Sequence, residues 1–166
     1  MRAFGLAAAL VVAAGPARAT PLDHRGQWGL ALAPGYSLLS TANRSLGSVV
    51  LYGPTLALSG TLAIGDTGEW IAVASGGPVG LPTPFLALAA GYRAYFGDDA
   101  FKTFVEPLVL VHFTPFARAG AVLSVGAQYD FTPSFGAFVE GGVSGLVGSG
   151  LAGGVVVSAG AQVRFF

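Results

Sequence analysis

Residues 118–131 read RAGAVLSVGAQYDF, and the way they alternate decides the fold. Ala119, Ala121, Leu123, Val125, Ala127, Tyr129 and Phe131 fall at one parity; Arg118, Gly120, Val122, Ser124, Gly126, Gln128 and Asp130 fall at the other. On a helix, turning about 100° per residue, both sets would scatter round the axis. On a strand they separate into a large apolar face and a small or polar one.

The same repeat of two runs through much of the chain. Trp28, Leu30, Leu32, Pro34, Tyr36 and Leu38 alternate with Gly29, Ala31, Ala33, Gly35 and Ser37. Tyr52, Leu56, Leu58, Leu62 and Ile64 alternate with Gly53, Thr55, Ala57, Ser59, Thr61 and Ala63. Turn signals at Gly65-Asp66-Thr67-Gly68, Gly97-Asp98-Asp99-Ala100 and Phe131-Thr132-Pro133-Ser134 help divide the chain. Eight strands are expected, at 27–38, 48–64, 69–75, 85–96, 101–113, 118–130, 135–146 and 151–166. The third has no preferred parity across Trp70, Ile71, Ala72 and Val73. A two-residue turn at Asp98-Asp99 would pair residues whose numbers sum to 197, setting Arg93 opposite Phe104. Pro34, Pro54 and Pro107 fall inside these strands, where each removes a ladder hydrogen bond, so two of them in mid-strand would argue against the division.

Composition narrows the class. Of 166 residues 53% are hydrophobic and 10% charged, with a mean hydropathy of +0.68, which excludes a disordered chain. Eight basic residues balance eight acidic ones with no basic run, so nothing favours nucleic acid. The chain has no cysteine, which excludes disulfides, thiolate zinc sites and an acylated cysteine anchor. Stretches 45–65, 70–92 and 141–163 carry no charge and are long enough to cross a bilayer as helices. Yet the second holds Pro78, Pro82 and Pro84, and the third is crowded with glycine, so neither suits a helix.

The start of the chain reads as an export signal. Arg2 is followed by an apolar run at 3–14, a Gly15-Pro16 break and Ala17-Arg18-Ala19, an A-x-A cleavage site. Residues 1–19 are therefore expected to be removed, leaving 20–166 as one domain beginning at Thr20. Losing Arg2 and Arg18 leaves six basic against eight acidic side chains, a balance of −2.

The environment follows from which face looks outward. A coat of Gly, Ala, Ser and Thr suits the tight lumen of an eight-stranded barrel better than water, so the large apolar face is assigned to lipid. Phe101 and Phe113 bracket Thr103, Val105, Val109 and Val111; at about 40° of tilt such a segment rises roughly 30 Å, the height of a lipid-facing band. Trp28, Tyr52, Tyr129, Phe131, Phe135 and Phe165 complete the expected aromatic rims. A soluble lipocalin-like barrel, with these aromatics in its core, is the alternative.

Residues 158–166, SAGAQVRFF, carry a resemblance. Ser158, Gly160, Val163 and Phe165, with the chain stopping at Phe166, are similar to the closing strand of Gram-negative outer-membrane barrels, whose assembly signal has this spacing. YRAYFG at 92–97 and YDFTPSFG at 129–136 extend the likeness. The whole resembles small eight-stranded barrels such as the OmpA transmembrane domain and OmpX. The resemblance implies an antiparallel up-and-down transmembrane β-barrel in the outer membrane, surrounded by outer-membrane lipid. It also implies assembly by the barrel-assembly machinery with periplasmic chaperones. Because the outward loops are short and the last strand ends the chain, the projecting hairpins or wall-binding domain of related barrels are not expected. The resemblance leaves the oligomeric state open.

On these faces the inward polar residues are Arg93, Lys102, Glu106, His112, Arg118, Gln128, Asp130, Glu140, Gln162 and Arg164. Isolated charges would be costly there, so a mixed network plugging the lumen is expected, with Arg93 diagonal to Glu106 and shared with Glu140. A gated ion path through Arg93 and Glu140 is the functional alternative. His112-Phe113-Thr114 invites comparison with outer-membrane lipid A deacylases, but Thr114 stands where a serine is needed, His112 points inward and no glutamate matches. With His24 and His112 the only histidines, no metal, cofactor or catalytic site is expected, and Glu106 and Glu140 read as salt-bridge partners. The outward loops, at 39–47, 76–84, 114–117 and 147–150, are short. The expectation is a structural or weak binding role, against a lipid-modifying enzyme, a narrow channel or a periplasmic carrier of an apolar ligand.

Overall fold

The computed structural model describes residues 25–43, 47–65, 67–77, 84–97, 100–114, 117–148 and 150–166. The expected signal peptide and the Asp98-Asp99 pair lie outside them. Eight strands run β1 (Trp28–Asn43), β2 (Gly47–Gly65), β3 (Gly68–Gly77), β4 (Phe85–Phe96), β5 (Phe101–Thr114), β6 (Arg118–Thr132), β7 (Phe135–Gly148) and β8 (Leu151–Phe165). Each pairs antiparallel with its neighbours in sequence order, and β8 closes on β1.

The register fixes the dimensions of the barrel. Following paired residues from Gly29 leads to Thr61, Ile71, Gly91, Leu108, Val122, Ser144 and Gly154, and so back to β1 at Leu39. The circuit returns 39 − 29 = 10 residues along the strand where it began. A stagger of ten over eight strands spaced about 4.8 Å sets a tilt of about 40° and a backbone radius of about 8 Å. Such a lumen has room for side chains and little else.

The two faces are inverted relative to a soluble protein. Leu123 and Val125 on the outer wall are 49% and 56% exposed, whereas Arg93 and Gln128 inside are 2% and 1%. Leucine, valine and aromatic side chains from all eight strands line the exterior. That arrangement runs against the lipocalin-like alternative, which needs the large apolar face inside.

Aromatic pairs gather on the outer wall near the end where β1 begins and β8 finishes, here called the lower end. Trp28 stacks on Phe165 with centroids 4.3 Å apart, Trp70 meets Tyr92 edge-on, and Phe131 contacts both Tyr129 and Phe135. Tyr52 and Phe113 lie outward towards the upper end. Phe166 follows β8 and is almost fully exposed.

Three expectations need correction. The β4/β5 register sums to 199, with Tyr95 opposite Phe104 and Phe96 opposite Thr103, so Arg93 sits two residues from the expected partner. The connection is longer than a two-residue turn, and Gly97 enters it at φ +107°, a conformation that favours glycine. A shift of two leaves every side chain on its expected face. Second, β1 and β2 stay paired as far as Asn43 and Gly47, so the loop expected at 39–47 is mostly strand.

Third, all three prolines sit within strands, yet the division into strands holds. In an antiparallel strand a residue's N–H and C=O point to the same neighbour, so proline weakens only one ladder. Pairing of β1 with β8 skips 33–34, pairing of β4 with β5 skips 106–107, and Pro54 lies beyond the last β2/β3 pair. On the other side each proline keeps its place in the register, opposite Leu56, Tyr36 and Leu123 for Pro34, Pro54 and Pro107.

Candidate functional site

The interior is divided by height, and its lower half is polar. Arg93 lies at its centre. Its Nε donates to Glu106 Oε2 at 2.6 Å, Nη1 to Glu69 Oε1 at 3.4 Å, and Nη2 lies 3.6 Å from Glu140 Oε2. The guanidinium also sits 4.3 Å from the ring centre of Phe104 and 5.3 Å from that of Phe138, so its faces meet π-clouds while its edge meets carboxylates. Room for these rings comes from glycine across the ladder: Phe104 pairs with Gly126 and Phe138 with Gly160. A Cβ on Gly160 would stand 2.6 Å from the Phe138 ring.

A second tier extends downward from the first. The Tyr95 hydroxyl donates to Glu69 at 2.7 Å and lies 3.0 Å from the Gln128 amide oxygen. Arg164 reaches Tyr95, Gln162 and Asp130, and Asp130 also accepts from Gln128 and lies 3.5 Å from Lys102 Nζ. Gln162 donates to Thr61 at 2.9 Å. In a site so short of water, each such bond matters because an unpaired charge has no solvent to fall back on.

Eight of the ten inward residues singled out from sequence therefore meet in one body. His112 and Arg118 do not. They face each other across β5 and β6 near the upper end, where His112 stacks on Phe85 and Arg118 donates to the Thr41 hydroxyl. The Thr114 hydroxyl donates to the Pro84 carbonyl at 2.6 Å, a bond that ties it to the chain entering β4.

Glu69, Tyr95, Phe104 and Phe138 were not anticipated as interior site residues. Tyr95 shares the parity of Arg93, which was the available signal. Glu69 is the sole carboxylate of β3, followed by Ile71, Val73 and then Ser75 inside, with Trp70, Ala72 and Ala74 outside.

Between the two ends lies a cavity of about 150 Å3. Leu108, Leu110, Val122, Val73, Ala57 and Ala89 form much of its wall, and Glu106 and Glu140 reach it from the ion-paired layer. Among the described residues no three His, Cys, Asp or Glu side chains converge as metal ligands.

Sequence comparison finds no matching protein family and no matching curated protein. Structural comparison finds small outer-membrane barrels. Neisserial surface protein A superposes with a TM-score of 0.66 at 13% identity, over 85% of this chain and all of that one. The N-terminal β-barrel domain of Pseudomonas aeruginosa OprF gives 0.54 at 12%, covering 80% and 97%. The attachment invasion locus protein Ail of Yersinia pestis gives 0.52 at 12%, covering 85% and 99%. At these identities the likeness is one of fold, and the fold is that of the small eight-stranded outer-membrane barrels.

Proposed function

We propose that this chain is an integral outer-membrane β-barrel with a structural or weak ligand-binding role, exported by its N-terminal segment and assembled through the signal in β8. The observation that carries the reading is the inversion of the faces. A continuous apolar belt with aromatic residues covers the outside, and the buried interior holds arginine, lysine and carboxylates. Only a hydrocarbon solvent makes that distribution favourable.

The role is a passive one. Arg93 is paired with Glu69 and Glu106, and Asp130 with Lys102 and Arg164, across the lower lumen, which supports a barrel closed to diffusion at that level. A lipid-modifying enzyme would instead need a nucleophile or base meeting a lipid-accessible cleft. His112 is stacked on Phe85 inside the barrel, and Thr114 is bonded to backbone.

Gel migration of the outer-membrane fraction, with and without boiling, tests the reading. A closed barrel survives detergent and runs compactly until heated, so boiling should slow it. Equal mobility, with the protein recovered in the periplasmic wash, would overturn it.

A further inference from the structure

Above the ion-paired layer the lumen is enclosed by a hydrophobic cluster that does not fill it. Ile71, Leu108, Leu110, Val122 and Leu146 are buried together, with Leu39, Val73, Phe85 and Ala89 packed against them. Leu108, Leu110 and Val122 turn towards the cavity of about 150 Å3, and Ala57 and Ala89 stand where longer side chains would close it. Serine hydroxyls, Ser124 and Ser144 among them, interrupt the wall, but most of its surface is apolar carbon. Each water would need about two to four polar partners, so such a wall favours an apolar guest. A cavity of about this volume is large enough to hold a benzene ring.

The charges around this space are matched by the protein itself. Among the described residues of the lumen, Arg93, Lys102, Arg118 and Arg164 balance Glu69, Glu106, Asp130 and Glu140 one for one. The two carboxylates at the floor are engaged as well. Glu106 Oε2 accepts from Arg93 at 2.6 Å and Glu140 Oε1 from the Ser158 hydroxyl at 2.7 Å. Glu140 Oε2 is buried, 3.6 Å from Arg93 Nη2. A charged guest of either sign would leave its hydration behind and meet no surplus counter-charge.

We propose that this cavity binds one small, neutral, apolar molecule with the bulk of a single aromatic ring, such as benzene or toluene. Wall atoms that face a void lack dispersion partners on that side, and a guest of this size restores those contacts without stranding a hydrogen-bonding group. The guest lies among Leu108, Leu110, Val122 and Val73. A ring carrying three ethyl groups is too bulky for the space. The site rests on the barrel reading and gives its weak binding role a ligand class.

The test uses the full barrel in phosphatidylcholine nanodiscs, with leucine and valine methyl groups labelled, titrated with toluene while their NMR signals are followed. Methyl shifts of Leu108, Leu110, Val122 and Val73 should saturate, whereas those of Leu123 and Val125 on the outer wall should follow the toluene dissolved in lipid without saturating. Triethylbenzene, which also enters the bilayer, should leave the inner methyls unmoved, and benzylammonium and benzoate should bind at least tenfold more weakly than toluene. Ala89→Leu, which fills the space, should weaken toluene tenfold or more, and Leu110→Ala, which enlarges it, should admit triethylbenzene. Inner methyls that do not move, or that never saturate, would overturn the proposal. So would either charged ring binding as tightly as toluene, or an affinity unchanged in a compactly folded Ala89→Leu barrel. Unheated gel mobility of the same samples separates the two claims: compact migration without saturable shifts removes the site and keeps the barrel.

Discussion

Replacing Arg93 with methionine keeps an apolar stem of similar reach and removes the charge that three carboxylates share. Glu106 loses a partner at 2.6 Å, Glu69 one at 3.4 Å and Glu140 one at 3.6 Å, and the contacts over Phe104 and Phe138 go as well. Removing one partner from a buried pair costs about 3–5 kcal/mol, because the stranded charge has no water to turn to. We expect a loss of about that size for Arg93→Met. The companion change separates this cause from lost packing. If stranded charge is the penalty, adding Glu106→Gln to Arg93→Met should recover at least about 1 kcal/mol, since it removes one of the stranded anions. Urea unfolding in lipid vesicles reads both, through the emission of Trp28 and Trp70, which lie on the outer wall. A single variant within about 1 kcal/mol of the parent, or a double variant worse than the single, would refute the claim that this layer is desolvated.

Three further outcomes follow from the same geometry. Leu123→Arg, in mid-wall, should cost about 2–4 kcal/mol in bilayers, whereas Phe131→Arg at the lower rim should cost about 1 kcal/mol or less, as measured by reversible unfolding. Gly160→Ala should destabilise by about 1–3 kcal/mol, because the new methyl meets the Phe138 ring and the Leu32 carbonyl; Gly145→Ala, with nothing within 4 Å, should be near neutral in the same assay. Tyr95→Phe removes the hydroxyl that joins the two polar tiers through Glu69 and Arg164, and should lower stability by about 1–3 kcal/mol with no change in heat-dependent gel mobility.

The barrel could be read in the sequence because lipid and lumen impose opposite demands on successive residues. In β6 those demands leave Leu123, Val125 and Tyr129 at one parity and Ser124, Gln128 and Asp130 at the other, and the structure keeps that division. β3 was illegible because its inner face turns apolar above Glu69 as the lumen changes from ionic to greasy. The interior aromatics were missed for a related reason. Phe104 shares the inward parity of Lys102 and Glu106, and Phe138 that of Glu140, but alternation does not show the glycines opposite that make room for the rings or the guanidinium they flank. Register is the other gap. Parity survives a two-residue slip, so the hairpin sum of 199 rather than 197 left no trace in the alternation, although it set Tyr95 opposite Phe104. The cavity is a sum of small residues from several strands, and no single stretch of chain announces it.

The central claim is that the large apolar face meets lipid. The chain has no cysteine, so single cysteines placed successively at 121–125 and carrying a fluorescent label report on each position alone. Quenching by lipids with a nitroxide on the acyl chain should be strong for Ala121→Cys, Leu123→Cys and Val125→Cys, and weak for Val122→Cys and Ser124→Cys. Equal quenching at all five positions, or the opposite alternation, would contradict the account.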